Sequence, residues 1–531
     1  MTPRRALGVL AALVVLHLLI ALPARLDHLG WAAFARPAPE LLVLVLGLLA
    51  LGRTAAGSVL RMAAVVTLGP MTVLKVADMA MQESLGRRFN PVADLPLIDA
   101  SVRLIAGSLG VATAIAAVIA ALVATGAILA ALWWAMGKLR RAAPPRGWRI
   151  GTGAAALALA AALPVAPLPG WAQPLAYGYA TDRVQLAGRT LTELRRFRLE
   201  AATDSLDGLD RPFALIDRDV LVIYLESYGR TSFDTEFFAE MHLDTLREAQ
   251  GQLEDAGIAM ASGFFTAPTH GGQSWLAHAT LSNGLWIDNQ VRYQAAIASG
   301  RRGLFHHAAD AGFRTAAVMP AIVRPWPEAS TMGFQRILAA PDLGYEGLPF
   351  NWVTMPDQFT MLAADRLLRD GSDPRRLFAQ IALISSHAPW TPVPRLLDWD
   401  AITDGTEFDA MAQEGDPPNV LWRDRDRVRD HYRATIDYTL RTTVEYALRH
   451  AGDPPLMVLV GDHQAASSIG LDERREVPVH VLGPAHLVER TAAWGLQPGL
   501  IPPQGSPAMG METIRDLFIR NFSGSADVNP S

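Results

Sequence analysis

The uneven placement of apolar residues along this 531-residue chain constrains its fold more than any other feature. Long uncharged runs are concentrated in residues 1–172, whereas from about Leu186 onward charged residues recur every few positions and apolar runs shrink to strand length. A helix needs about 20 apolar residues to cross a bilayer. The pattern therefore predicts a membrane-spanning part followed by a water-soluble part.

Five apolar runs are long enough, or nearly long enough, to act as transmembrane helices. They lie near residues 6–22, 35–52, 57–77, 104–136 and 150–170. The first run follows Arg4 and Arg5 and could instead be a cleaved signal peptide, but four further runs favour an uncleaved anchor. We expect an all-α transmembrane anchor of five helices over residues 1–172.

Basic residues occur in alternate loops of this anchor and predict its orientation. Arg4 and Arg5 precede the first run, Arg53 separates the second from the third, and five basic residues lie between the fourth and fifth: Lys138, Arg140, Arg141, Arg146 and Arg149. Cytoplasmic loops are enriched in Lys and Arg. An odd number of spans then places everything after Trp171 outside, which predicts a multi-pass protein of the bacterial inner membrane with an extracytoplasmic, periplasmic domain.

Residues 173–212 are expected to link the anchor to that domain. The segment Leu186–Ala202 has apolar residues at helical spacing beside several arginines. This pattern is typical of an amphipathic helix on a membrane surface, and an ordinary linker helix is the alternative. Near the end of the third span, we expect Lys75 to extend towards the membrane interface, as lysines at helix ends commonly do.

From residue 213 to 531, short apolar runs alternate with helical patterns, which predicts an α/β domain with a largely parallel central sheet. In such sheets, binding and catalytic residues lie at the carboxyl ends of the strands. Glu226 follows the run "VLVIYL", His387 follows "LFAQIALISS", and Asp462 and His463 follow "LMVLVG". Alone, each could be a solvated turn residue or a buried imidazole, but together they predict a site.

Carboxylate and imidazole groups are suitable ligands for Mn²⁺, Mg²⁺ or Zn²⁺. A further candidate is Ser274 in "THGGQSWLAHATLSNG", where a helical pattern begins directly after the two glycines. A serine in this position could be a simple N-cap. Alternatively, the helix N-terminus would favour an anion such as a phosphoryl group, and a divalent cation would stabilise the serine alkoxide. We therefore predict that Ser274 is a nucleophile.

Composition excludes other classes of function. The chain has no cysteine, which rules out disulfides, thiolate metal sites and a cysteine nucleophile. Its net charge of -5 is uninformative, and no basic patch interleaved with aromatic residues suggests a nucleic-acid partner.

These motifs resemble those of the sulfatase and alkaline phosphatase superfamily. They are "YLES" with Glu226, "GGQSWL" with Ser274, "SSHAPW" with His387, and "GDHQ" with Asp462 and His463. The resemblance is greatest to the membrane-anchored branch that includes lipoteichoic acid synthase and phosphoglycerol transferases. It implies an alkaline phosphatase-like domain over 213–531 that binds one divalent metal ion, most commonly Mn²⁺, through Glu226, Ser274, Asp462 and His463.

The resemblance also implies substrate-binding residues. His387 would bind the headgroup or phosphate, and Arg324 and Trp326 would correspond, in reversed order, to a Trp and Arg that grip the substrate. The usual nucleophile of the branch is threonine, which makes Thr269 a rival to Ser274. A sulfatase is disfavoured because Ser274 is not followed by the proline and arginine of the C/S-x-P-x-R motif.

We expect a metal-dependent transferase that moves a phospho-alcohol group from a phospholipid donor to an envelope glycan or similar acceptor. Phosphoglycerol from phosphatidylglycerol is the favoured group. A phosphoethanolamine transferase or a phosphodiesterase of the same fold is the nearer alternative, although the absence of cysteine disfavours the former. A non-catalytic scaffold for envelope assembly is the alternative from another class.

Overall fold

The computed structural model of the chain describes residues 2–165, 174–206, 209, 211–324 and 326–524. These residues form two compact units. Unit 1 comprises Met1–Glu83, Arg87–Ile98 and Val111–Thr192, and unit 2 comprises Ser84–Gly86, Asp99–Gly110 and Glu193–Ser531.

The described residues of unit 1 are mostly helical and contain no strand. The helices of more than ten residues are α1 (Pro3–Ala21), α2 (Pro39–Leu51), α3 (Ala55–Leu85), α4 (Leu95–Leu109), α5 (Val111–Arg141), α6 (Arg146–Ala162) and α7 (Leu175–Ala201). The last residues of α3 and parts of α4 and α7 are counted with unit 2. The helix predicted over Leu186–Ala202 corresponds to the second half of α7.

Three helices of the described chain, α1, α3 and α5, are long and apolar enough to cross a membrane. The second predicted span corresponds to α2, an apolar helix of 13 residues. The fifth corresponds to α6, which has 17 residues and ends at Ala162, and the last part of that predicted span lies outside the described residues. The described residues therefore contain three helices of spanning length, and the expected set of five is not confirmed.

Charged side chains are buried inside unit 1, and one of them departs from expectation. Lys75 does not extend to an interface: it is 3% exposed and donates a hydrogen bond to the carbonyl of Ile20 over 2.7 Å. Asp78 forms an ion pair of 2.7 Å with Arg183 and accepts a hydrogen bond from Tyr179. Buried charges need such partners because desolvation is costly.

Unit 2 is built on one mixed sheet. Its strands are β1 (Val220–Leu225), β2 (Ala259–Thr266), β3 (Arg314–Met319), β4 (Arg336–Ala339), β5 (Leu377–Leu383), β6 (Leu456–Gly461), β7 (Glu476–Gly483), β8 (Gln497–Pro498) and β9 (Ala508–Gly510). The order is β4-β3-β5-β1-β6-β7-β2-β8, and β9 pairs with β2. The five strands from β4 to β6 are mutually parallel, as predicted, and β7 runs antiparallel to both of its neighbours.

Helices cover both faces of this sheet. They are α8 (Glu236–Asp255), α9 (Ser274–Asn283), α10 (Gln290–Ala298), α11 (Leu304–Asp310), α12 (Asp357–Leu368), α13 (Arg425–Arg449) and α14 (Ile514–Phe522). Alternate residues of β1 enter two separate hydrophobic clusters: Leu221 and Ile223 pack with α8, α12 and α13, whereas Val222 and Tyr224 pack with α9, α11 and α14. Every residue of β1 is buried, as expected for a central parallel strand.

Candidate active site

The register of three parallel strands brings the predicted site residues to one edge of the sheet. Leu225, the last residue of β1, pairs with Leu383 of β5 on one side and with Gly461 of β6 on the other. The chain segments that follow these three strands therefore emerge next to one another. Glu226 follows β1 directly, and Asp462 and His463 follow β6.

Glu226, Asp462 and His463 form a buried cluster with the spacing of a metal centre. One ligand atom from each of the three side chains lies within 4.8 Å of the other two. His463 Nε2 is 3.1 Å from Glu226 Oε1 and 3.8 Å from Asp462 Oδ1. The cluster can hold a cation between two carboxylates and one imidazole.

Neighbouring backbone groups orient each ligand of this cluster. His463 Nδ1 lies 3.0 Å from the carbonyl of Gln464, and a carbonyl can only accept, so Nδ1 carries a proton and Nε2 faces the cluster. Asp462 Oδ1 accepts hydrogen bonds from the N–H groups of Ser227 and His463, over 2.9 Å and 2.7 Å. Such outer contacts fix ligand direction at metal sites.

Burial and mutual charge shift the pKa values of all three side chains in the cluster. Burial and the nearby charge of Glu226 raise the pKa of Asp462 to about 7. Burial would lower the pKa of His463, but the two carboxylates outweigh it and raise that pKa to about 9. Burial would raise the pKa of Glu226, yet the charges of His463 and His387 hold it below its ordinary value. A divalent cation bound by these side chains would supply the positive charge that protons on Asp462 and His463 otherwise provide.

Ser274 lies against this cluster as the first residue of α9. Its Oγ donates a hydrogen bond of 2.9 Å to Glu226 Oε2 and lies 3.2 Å from His463 Nε2. The preceding turn requires left-handed backbone, with φ of +73° at Gly271, +148° at Gly272 and +69° at Gln273. The two glycines adopt this conformation at little cost and place the serine at the helix N-terminus.

The rival nucleophile lies elsewhere. Thr269 is 4% exposed, and its buried hydroxyl has no hydrogen-bond partner among the described residues, which include both carboxylates of the cluster. Ser274, not Thr269, therefore has the contacts that a metal-assisted nucleophile requires.

His387 lies beyond the end of β5 and next to the cluster. Its Nδ1 donates a hydrogen bond of 2.6 Å to the carbonyl of Ala388, which leaves Nε2 as the ring nitrogen available to a substrate. The ring stacks on Trp352, with 4.0 Å between ring centroids and an interplanar angle of 22°. Ser386, just before it, donates a hydrogen bond of 2.6 Å to the carbonyl of Glu226.

Arg324 and Trp326 follow β3, at the same edge of the sheet. Arg324 is exposed, and Trp326 packs on Phe334, with their ring centroids 6.3 Å apart. No hydrogen bond or ring contact among the described residues joins either side chain to the carboxylate–imidazole cluster. The structure thus brings Glu226, Ser274, Asp462 and His463 together and leaves Arg324 and Trp326 outside that group.

Sequence reasoning missed several residues that shape the site. Ser227 has φ of +58°, donates its N–H to Asp462, and donates its hydroxyl to Glu226 over 2.9 Å. Tyr432 on α13 donates a hydrogen bond of 2.8 Å to the carbonyl of Ser227. The position of Ser227 directly after a ligand was the only available signal, and nothing in the sequence indicated Trp352 or Tyr432.

Comparisons with known proteins add structural likeness at low sequence identity. No family model and no curated protein sequence matches the chain. Among solved structures, it is similar to lipooligosaccharide phosphoethanolamine transferase A (EptA) from Neisseria meningitidis, with 12% identity, a TM-score of 0.46, and coverage of 96% of this chain and 95% of the other.

Two further similar structures match mainly one part of the chain. The lipoteichoic acid synthase LtaP from Listeria monocytogenes has 15% identity and a TM-score of 0.38, with 61% of this chain and 81% of that chain covered. The Streptococcus pyogenes phosphoglycerol transferase GacH, in complex with sn-glycerol-1-phosphate, has 14% identity and a TM-score of 0.32, with 55% and 72% covered.

Proposed function

We propose that this protein is an enzyme of the sulfatase and alkaline phosphatase superfamily that transfers a phospho-alcohol group from a membrane phospholipid to an envelope acceptor. The observation that carries the proposal is the contact of Ser274 Oγ with Glu226 and His463 at the start of α9. A hydroxyl at a helix N-terminus, in contact with a carboxylate and imidazole cluster, suits attack on a phosphodiester.

The donor set fits one divalent metal ion, with Mn²⁺ preferred and Mg²⁺ or Zn²⁺ possible. Glu226, Asp462, His463 and the Ser274 hydroxyl would hold it. When bound, the ion supplies positive charge that lowers the pKa of a coordinated hydroxyl and offsets charge on phosphoryl oxygens. The hard oxygen ligands with one imidazole agree with this choice of metals.

The reaction would proceed in two displacements at phosphorus. Ser274 Oγ gives up its proton and forms a bond to the lipid phosphorus as the bond to the diacylglycerol oxygen breaks, and that oxygen takes up one proton and leaves as diacylglycerol. An acceptor hydroxyl then gives up its proton and attacks the phosphorylated serine. The bond from phosphorus to Ser274 Oγ breaks, and Oγ takes up one proton to restore the free serine. Amide groups at the start of α9 stabilise negative charge on the phosphoryl oxygens during both steps.

The headgroup would lie towards His387. Its available Nε2 can contact a phosphate oxygen or an alcohol hydroxyl, and the stacked Trp352 holds the ring in position. Phosphoglycerol from phosphatidylglycerol is the group we favour, with a glycan or similar envelope molecule as acceptor. Arg324 and Trp326 remain candidate contacts for more distant parts of the substrate.

A lipid donor would explain why the catalytic unit is attached to a helical membrane anchor. Anchoring raises the effective concentration of lipid headgroups at the active site. We propose the organisation inferred from sequence: a five-span anchor over 1–172, a linker over 173–212, and an extracytoplasmic catalytic domain over 213–531, in the bacterial inner membrane. The short helices α2 and α6 would be the second and fifth spans. They pack on each other, with Gly153 beside Ala50.

The nucleophile provides the decisive test. Purified Ser274→Ala protein, incubated with labelled phosphatidylglycerol and Mn²⁺, should release diacylglycerol several orders of magnitude more slowly than wild type, since the covalent nucleophile is lost. Thr269→Ala is the matched control and should remain close to wild type. Mass spectrometry of wild-type protein trapped without acceptor should find a phosphoglycerol adduct on the Ser274 peptide.

The same assay separates the alternatives. Turnover of phosphatidylethanolamine but not phosphatidylglycerol would replace phosphoglycerol by phosphoethanolamine. Release of free glycerol phosphate, unaffected by added glycan, would indicate a phosphodiesterase. Full turnover by Ser274→Ala, or an adduct on Thr269, would refute the proposal.

A further inference from the structure

One end of unit 1 carries a dense group of cations and no acidic residue. It is formed by the first residues of α1, α3 and α6 and the last residues of α2 and α5. The segments 1–10, 48–65 and 134–152 contain no Asp or Glu. They contain nine basic residues, here named the basic cluster: Arg4, Arg5, Arg53, Arg61, Lys138, Arg140, Arg141, Arg146 and Arg149.

Contacts between these segments show that the cluster is one region. Arg140, at the end of α5, donates hydrogen bonds of 2.8 Å each to the carbonyl of Gly52 and to Ser58 Oγ. The guanidinium of Arg149, on α6, also lies beside Gly52. Lys138 Nζ lies beside Gly8 of α1. Five helix ends therefore meet here.

Glycines make room for two of the arginines between helices. A Cβ at Gly137 would lie 2.8 Å from a terminal nitrogen of Arg61, which is closer than side chains tolerate. A Cβ at Gly57 would lie 3.3 Å from Arg140 Nε and still closer to the carbonyl of Gly52. The two guanidinium groups are thus half-buried in fitted positions rather than extended into solvent.

The positive charge of this region is not compensated within the described chain. None of the nine side chains forms an ion pair with another described residue, and Arg61 and Arg140 donate their hydrogen bonds to uncharged carbonyl and hydroxyl groups. Three helix N-termini and two C-termini meet at this end, so the helix dipoles add partial positive charge on balance. Bringing like charges together in a partly buried region is unfavourable, and an external anion would offset that repulsion.

Arg61 and Arg140 still have hydrogen-bond donors to offer. Arg61 uses Nε and one terminal nitrogen on the same carbonyl, that of Trp133, and Arg140 likewise uses Nε and one terminal nitrogen. The second terminal nitrogen of each has no hydrogen-bond partner among the described residues. A guanidinium has five N–H donors, and a phosphate oxygen is the partner that suits them best.

The surroundings match a lipid rather than a soluble anion. The Arg61 guanidinium stacks on Trp133 at 3.5 Å, and Trp133, Trp134 and Trp148 are all exposed, as in the aromatic belts of membrane interfaces. One helical turn from Trp133, Leu129 is exposed on the same apolar helix. A phosphate on the arginines would therefore have its acyl chains beside α5.

We propose that the basic cluster binds the phosphate headgroup of an anionic phospholipid of the surrounding bilayer, with Arg61 and Arg140 as its principal contacts. Basic pockets between transmembrane helices bind such headgroups in this way. The basic cluster shares no residue with the cluster around Ser274. The basic residues could serve only to keep these loops in the cytoplasm, but that role requires positive charge and no particular side-chain position. The close fit of the two guanidinium groups beside Gly57 and Gly137 favours binding of a headgroup instead.

The test uses the purified full chain and phosphatidic acid, which has the phosphate but no headgroup alcohol to transfer. Native mass spectrometry should find phosphatidic acid retained by wild type and phosphatidylcholine not retained. Arg61→Gln with Arg140→Gln should weaken retention about thirtyfold, since each basic residue contributes roughly a fivefold factor at an anionic surface. Arg25→Gln is the matched control, because Arg25 is exposed and already paired with Asp27 at 2.8 Å.

A folding defect is separated from a lost contact by the variant Arg61→Lys with Arg140→Lys. It keeps both charges and should recover most of the retention. Equal retention by wild type and the double Gln variant would overturn the proposal. So would full competition by inorganic phosphate at the same concentration, because that result would assign the cluster to a free anion instead of a lipid.

Discussion

The Asp-His dipeptide occurs twice in unit 2, once directly after a buried strand and once on a helix. Asp462 and His463 directly follow a buried parallel strand, and their side chains join Glu226 in the carboxylate–imidazole cluster. Asp430 and His431 lie on α13, where Asp430 is half-exposed and pairs with Arg433 at 3.0 Å. The sequence alone distinguishes the two dipeptides, because an apolar run that ends in polar residues predicts the carboxyl end of a strand.

This pair of dipeptides provides a controlled test of the metal site. Asp462→Asn should lower the bound metal from about one ion per chain to a small fraction and reduce activity in parallel, because it removes an anionic ligand from a buried site. Asp430→Asn should leave both unchanged. Metal content by inductively coupled plasma mass spectrometry is the measurement. Equal losses in the two variants would show that Asp462 is not a ligand.

Other residues of the site could not be predicted because their role depends on distant packing. Trp352 reaches His387 across a loop and Tyr432 reaches Ser227 from α13. Neither lies within a motif that carries chemistry. The role of Ser227 depends on its left-handed backbone conformation, which serine rarely adopts. The neighbouring sequence does not indicate that conformation.

At the scale of elements, four of the five parallel strands could be predicted, whereas β4 and the antiparallel part of the sheet could not. Strands β1, β5 and β6 are apolar runs followed by polar residues, and β3 is a short, mainly apolar run. By contrast, β7 contains Pro478, which ordinarily argues against a central strand. In the structure, β6 pairs with Val479–Leu482 only, so Pro478 lies just outside that ladder and its missing N–H costs nothing there.

The antiparallel strands are joined by a buried histidine that should make stability depend on pH. His480 of β7 is 1% exposed, and its ring nitrogens lie 2.7 Å from Ser262 Oγ of β2 and 3.0 Å from the Tyr228 hydroxyl. Burial lowers the pKa of His480 to about 3, below the roughly 6.5 of an unfolded histidine. Between these values the unfolded chain binds one more proton, so native stability falls as the pH falls.

Replacing that histidine should remove this contribution. The free energy of unfolding of His480→Gln should fall less steeply below about pH 6.5 than that of wild type, by about 1.4 kcal/mol per pH unit. Its stability at pH 7 should also be lower, because two buried hydrogen bonds are disturbed. Denaturant unfolding across this range measures both effects. The exposed His486 is the control, and an identical slope in wild type and His480→Gln would exclude the assigned role.

At the scale of the molecule, sequence located the apolar runs but not the length of each helix. The run near 35–52 contains Pro37 and Pro39, and its helix begins only at Pro39. At 1.5 Å per residue, α2 is about 20 Å long and α6 about 26 Å, shorter than the roughly 30 Å hydrocarbon core. Short spans can be accommodated by local thinning of the bilayer, particularly when they pack together.

The arrangement of helix ends in unit 1 supports the proposal that the short helices α2 and α6 also cross the membrane. The N-termini of α1, α3 and α6 lie at the same end of unit 1 as the C-termini of α2 and α5, because Arg140 and Arg149 both contact Gly52. The chain must therefore return along α2 between α1 and α3. Five crossings then place the α5–α6 loop on the same side as the N-terminus, whereas three crossings by α1, α3 and α5 alone would place it opposite.

A reporter enzyme that is active only outside the cytoplasm decides between these topologies. With five spans, a fusion after Ala143, in the α5–α6 loop, should be silent, and a fusion after Ser531 should be active. Both three and five spans predict activity at Ser531, so that fusion serves as the positive control for export. An active Ala143 fusion would establish three spans and reverse the side assigned to Arg140 and Arg149. A stably expressed but silent fusion at Ser531 would place the catalytic domain in the cytoplasm, away from any envelope acceptor.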